Sequence, residues 1–120
     1  GDAPSELVGD QWMVLWSIGA RSGNVRKTPL VRVTDGEGTY AVIGSMGGAP
    51  MQRQWVHYVR ANPIARIQDG KALHDMAVRE VDGDEKAQWW ARASLVWPEY
   101  DSYQAATERT IPVFVLEPAG

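Results

Sequence analysis

The 120-residue chain contains no cysteine. Disulfides, thiolate metal sites and cysteine nucleophiles are therefore excluded, and a reducing cytoplasm fits. No apolar run approaches the roughly 20 residues that a membrane-crossing helix needs. The N-terminus lacks the charged-then-apolar pattern of a secretory signal. Gly1-Asp2 reads as a trimmed or engineered start. Residues 1–10 are thus expected to be a trimmed or flexible end, and a missing N-terminal segment is where peripheral membrane contact is expected. The expected location is cytoplasmic, or membrane-associated through that segment. No Gly-x-Gly-x-x-Gly follows a strand-like run and there is no P-loop, so a nicotinamide Rossmann site is not expected. Ser45, between Gly44 and Gly47, does not have nucleophile-elbow spacing. The two histidines, His57 and His74, lie far apart and lack metal-ligand spacing; no metal is expected, and His57 reads as a structural or surface residue.

What is present is ordinary for a globular protein: 44% hydrophobic and 22% charged residues, enough for one domain over residues 1–120. The net charge is −3, unevenly spread. Residues 11–68 carry seven basic and two acidic side chains, whereas residues 69–120 carry five basic and ten acidic ones. An acidic protein with a basic half points to a local anion site and a small-molecule partner, not to nucleic acid. Chance clustering on a solvated surface gives the same counts.

Aromatic and β-branched residues make residues 12–18 a strand, followed by a glycine-bounded turn at 19–24. Strands are predicted at 27–34, with Pro29 marking an edge or bulge, and at 39–44, joined by the hairpin turn 35–38. A short helix at 54–61 stops at Asn62-Pro63. Strands at 65–68 and 72–81 flank the turn Asp69-Gly70. Asp82 and Glu85 have capping-box spacing and open a helix over about 84–96, with Ala87, Trp90, Ala91 and Ser94 on one face and Pro98 as its stop. One of Trp89 and Trp90 is expected to pack inward. A further helical turn at 101–109 and a closing strand at 111–117 complete the chain. The order predicts a mainly β protein with inserted helices, a split barrel of about six mostly antiparallel strands.

Three segments carry chemistry. Arg21 and Ser22 in the first turn, with Arg26, Lys27, Thr28 and Pro29 on the next strand, place three cations where they can converge on a phosphate; a solvated basic hairpin has the same spacing. Gly44, Ser45, Met46 and Gly47 lie between a strand and a helix, where small residues let a flat ring approach the backbone, and where a tight connector also needs glycine. Trp97, Tyr100 and Tyr103 recur every third residue and can wall a pocket or fill a core.

With those motifs in order, and with Trp55, Asn62-Pro63, Asp84-Glu85 and residues 109–113, the chain resembles the deazaflavin-dependent nitroreductase family of actinobacteria over nearly its whole length. The resemblance implies a split barrel related to flavin-binding barrels, and coenzyme F-420, a deazaflavin with a phosphate and an oligoglutamate tail. It implies that Arg21 and Arg26 grip the phosphate end, with Lys27 added on charge alone, and that Ser45 lies at the ring and substrate. Ser22, Thr28, Pro29, Gly44, Met46, Gly47 and Trp55 complete the expected cofactor site. Tyr100 and Tyr103 line the substrate side, and Ser45, Tyr100 and Tyr103 are the expected catalytic residues. Met46 stands where a well-known member carries a lysine, and Trp97 and Val31 stand where it carries tyrosines, so the substrate pocket is more apolar here.

The expected reaction is hydride transfer from reduced F-420 to an electron-poor acceptor, a quinone or activated enone, with nitro compounds not assumed. Two alternatives stay open: a non-catalytic binder of deazaflavin or a lipid-like ligand, and a flavin mononucleotide oxidase on the same barrel. The expected state is a monomer or weak dimer.

Overall fold

The computed structural model describes residues 12–18, 23, 25–44, 53–106 and 110–119. Seven strands form one antiparallel sheet: β1 (Trp12–Ile18), β2 (Val25–Val31), β3 (Val33–Thr34), β4 (Tyr40–Ile43), β5 (Ile64–Asp69), β6 (Ala72–Val81) and β7 (Val113–Pro118). Their order is β2-β1-β5-β6-β7-β4-β3, and the sheet curls until β2 comes back near β4. This is the expected split barrel with one strand more than predicted. The run read as 27–34 breaks at Arg32, so β3 pairs with β4 and not with β1.

Alternation of side chains along each strand builds two cores. Inside the curl, Met13, Leu15, Tyr40, Val42, Ile67, Met76, Val78, Phe114 and Leu116 meet Trp55, Val56 and Val59 of helix α1 (Arg53–Ala61). On the outer face, Val31, Val33, Ala41, Ile43, Val81, Val113 and Val115 meet helices α2 (Gly83–Val96) and α3 (Glu99–Ala105). β4 and β7 are covered on both sides, and so read as near-continuous apolar runs. α1 stops where Pro63 disfavours helix for Asn62, whose side-chain amide donates to the Ile18 carbonyl at 3.3 Å. β2 lies at the sheet edge, where Pro29 is tolerated.

Two details of α2 differ from the sequence reading. Asp82 is the N-cap residue, but its side chain caps nothing. Glu85 does not reach back to it, because Arg79 takes both Glu85 oxygens, at 2.7 and 2.6 Å. The expected capping box is therefore not formed. The buried stripe is Ala93 with Trp89, Trp90 and Val96, whereas Ala87 and Ala91 are exposed. Positions 89, 93 and 96 follow the i, i+4, i+7 face that lies on the sheet, and both tryptophans pack against it.

Candidate functional site

The uneven charge of the sequence is partly cancelled within the fold. Pairing brings cations of the basic half against carboxylates of the acidic half: Arg32 with Asp69 at 2.9 Å, Arg60 with Glu80 at 3.0 Å and Arg66 with Asp75 at 2.8 Å. Arg26 and Lys27 are left without a carboxylate partner among the described residues. As neighbours on β2 they leave opposite faces of the strand. Lys27 is exposed and holds its ammonium 4.3 Å from the centre of the Trp16 ring. Arg26 lies with Thr28 and Leu30 on the side that faces the barrel interior, opposite Ser17. The expected convergence of Lys27 with Arg26 on one phosphate is therefore corrected by strand geometry. Pro29, exposed on the side of Lys27, does not join Arg26 either.

Arg26 carries the distinctive signal. Its Nε is buried and has no hydrogen-bond partner among the described residues. A buried guanidinium donor left unpaired is costly, and most are satisfied in folded proteins. An anionic oxygen is the acceptor that suits it, so the residue present fits a phosphate-bearing coenzyme. Thr28 is buried beside it on the same face.

The four residues expected on the substrate side come together. Val31, Trp97, Tyr100 and Tyr103 belong to the one apolar cluster on the outer face of the sheet. The Tyr100 and Tyr103 rings meet edge to face at 6.3 Å, and Trp90 lies 6.0 Å from Tyr100. The Tyr103 hydroxyl donates to Glu99 at 3.0 Å. The Tyr100 hydroxyl has no partner among the described residues. Burial, and then the neighbouring Tyr103, pushes its ionisation well above that of an ordinary phenol. Tyr100 is thus suited to donate a hydrogen bond while staying neutral, not to give up its proton.

Trp12 belongs to this wall and was not picked out from the sequence. It stands in register with Val31 and meets Trp97 edge to face at 5.5 Å. The signal available was its place at the outward end of an alternating strand.

Other expected residues have packing roles. Trp55 is only 1% exposed and packs on Phe114 inside the barrel, at 5.6 Å. Gly44 is required by Pro112: a Cβ there would lie 2.7 Å from the proline Cγ and 3.4 Å from Val56. Its glycine therefore serves close chain packing. Arg21, Ser22, Ser45, Met46 and Gly47 lie outside the described residues.

Residues 1–118 match the model of the F420H(2)-dependent quinone reductase family. The chain belongs to this family. It is thereby an F-420-dependent oxidoreductase, and a flavin mononucleotide oxidase is not favoured. An F420H(2)-dependent quinone reductase of Mycobacterium tuberculosis H37Rv is 32% identical over 107 residues, covering 87% of this chain and 71% of that protein. A solved F420-H2 dependent reductase is 40% identical with a TM-score of 0.82, covering 89% of this chain and 94% of its own. A second solved structure, described as a domain-swapped dimer, is 40% identical with a TM-score of 0.83, covering 89% of this chain and 80% of its own.

Proposed function

We propose that this chain passes a hydride from reduced F-420 to a quinone, with Arg26 holding the phosphate end of the coenzyme and the Val31–Trp97–Tyr100–Tyr103 cluster walling the acceptor. The buried, unpartnered Nε of Arg26 is the observation that carries this reading. Reduced deazaflavin supplies the hydride; the protein's part is binding, orientation and electrostatics. Arg26 and Thr28 bind from the inward face of β2, and Arg21, Ser22, Ser45, Met46 and Gly47 belong to the same proposed site. The aromatic cluster excludes water and offers flat apolar surface to a flat acceptor. Tyr100 donates a hydrogen bond to the acceptor oxygen as negative charge builds there. Tyr103 is committed to Glu99 and positions the Tyr100 ring. With Tyr100 hard to ionise, the proton that completes quinol formation comes from water. Lys27 takes no part in holding the phosphate.

The test is fluorescence titration with oxidised and reduced F-420, followed by turnover of a quinone panel. Tight binding with quinone-dependent oxidation of the coenzyme is expected. Binding without turnover would leave a carrier, and no binding would overturn the reading. A monomer or weak dimer is proposed for the solution state, to be checked by sedimentation.

A further inference from the structure

We propose that a groove along the outer face of β1 takes the apolar substituent of the quinone acceptor, with Trp12 joining that groove to the aromatic wall. This rests on the acceptor site proposed above and names the part of the acceptor that reaches beyond it.

β1 sends Met13, Leu15 and Ser17 inward and leaves Trp12, Val14, Trp16 and Ile18 half-buried on the outer side. The outward row starts at the acceptor wall, where Trp12 meets Trp97. Six residues on, at roughly 3.3 Å each, it ends about 20 Å away at Ile18. Its far half opens into a cavity of about 440 Å³ lined by Trp16, Ile18, Val25, Ile64 and Arg66. Val25 and Ile64 are 54% and 50% exposed, although both are large and apolar.

Lys27 and Arg66 lie over the Trp16 ring, at 4.3 and 5.7 Å from its centre. Their charged heads sit over that ring, so the apolar part of the lining is Ile18, Val25 and Ile64. Arg66 is paired with Asp75 at 2.8 Å, which leaves Lys27 as the unpaired charge, among the described residues, beside an otherwise apolar lining. A flexible, uncharged, elongated chain attached to a ring fits this shape: the alkyl or isoprenoid substituent of a quinone. The outward row of β1, which runs from the Trp12–Trp97 contact to this cavity, distinguishes this occupant from an unrelated apolar ligand.

The experiment measures kcat/KM for benzoquinones bearing no substituent, a butyl chain and a decyl chain, at fixed detergent, and compares the slope with chain length between proteins. Each methylene moved from water into apolar surroundings is worth up to about fourfold. The parent should gain at least about tenfold from the unsubstituted to the decyl compound. Ile64→Glu and Val25→Glu should flatten this gain to less than about threefold. Leu95→Glu, an equal change at an exposed leucine on α2, should keep it. Equilibrium dialysis of the decyl compound without coenzyme should show the same contrast.

Equal slopes in the parent and Ile64→Glu, with short quinones still reduced, would overturn the groove alone. So would a variant that changes the sedimenting mass and leaves the slope intact, which would assign the groove to a contact between copies of this chain. If the parent reduces no quinone of any length, the acceptor reading falls and the groove falls with it.

Discussion

Replacing Arg26 by methionine separates a binding role from a structural one, because the two predict opposite signs. Methionine keeps most of the stem and removes the guanidinium. The buried Nε has no partner among the described residues, so its removal costs no hydrogen bond with them. A desolvated unsatisfied donor is a penalty of about 1–3 kcal/mol, and relieving it leaves stability unchanged or raised. Binding moves the other way. A hydrogen bond to a charged group contributes about 1.5–3 kcal/mol, so F-420 affinity should fall by about ten- to 150-fold. The assay is paired: thermal unfolding of the free protein, and fluorescence titration with F-420. The loss should narrow in 1 M salt, where the Debye length is about 3 Å. Lys27→Met, on the opposite face of the same strand, should change affinity by less than about twofold. Two results would refute the reasoning: a melting temperature that falls together with affinity, or an equal loss from Lys27→Met.

Tyr40→Phe removes the 2.6 Å hydrogen bond from the Tyr40 hydroxyl to Asp69, and should cost about 1–3 kcal/mol in a denaturant titration. Burial, and then Asp69, push the Tyr40 phenol up to about 12. Its neutral form therefore contributes stability that is full below the ordinary phenol value near 10 and is lost as pH rises from about 10 to 12. The parent should lose stability through that window and Tyr40→Phe should lose less. Gly44→Ala forces a methyl to 2.7 Å from Pro112 and should destabilise by about 1–3 kcal/mol, read as a lowered melting temperature; an unchanged value would refute the packing account. Tyr100→Phe should lower quinone turnover with little change in F-420 affinity, and the parent's turnover should show no loss assignable to Tyr100 up to pH 10; unchanged turnover in the variant would reduce Tyr100 to a wall.

The fold was legible wherever local chemistry and tertiary packing agree. β1 matches its predicted range because alternation, its bounding glycine and burial all point the same way, whereas β6 matches through the turn before it and Asp82 after it, with only Met76, Val78 and Val81 buried. α1 is one residue longer than read, with the expected stop. The misreadings share one cause: a distant partner overrides a local pattern. Arg32 leaves the ladder to reach Asp69, splitting one predicted strand in two. Glu85 is drawn to Arg79 and abandons the cap. The Arg32–Asp69–Tyr40 network had no sequence signal, since its members are separated by whole strands and meet only when the sheet curls. The basic half of the chain overstated the anion site for the same reason, as several of its cations face carboxylates from the acidic half.

What the structure adds to the site is parity. Arg26 and Val31 are five residues apart on an unbroken strand, so their side chains leave opposite faces of β2. In an interior strand that would forbid one ligand from touching both, because a neighbouring strand would close each side. Among the described residues β2 is hydrogen-bonded only to β1, which leaves its other edge without a strand partner there. On the proposed reading the coenzyme passes over that edge, its anionic end on the Arg26 side and its ring on the Val31 side. Filling the edge should then compete with binding. A peptide that adds a strand to β2, or a crosslink that pins β2 to β4, should weaken F-420 binding even with every site residue intact. A pinned protein that binds as the parent does would place the whole coenzyme on one face of the strand, and one of the two residue sets would have to be withdrawn from the site.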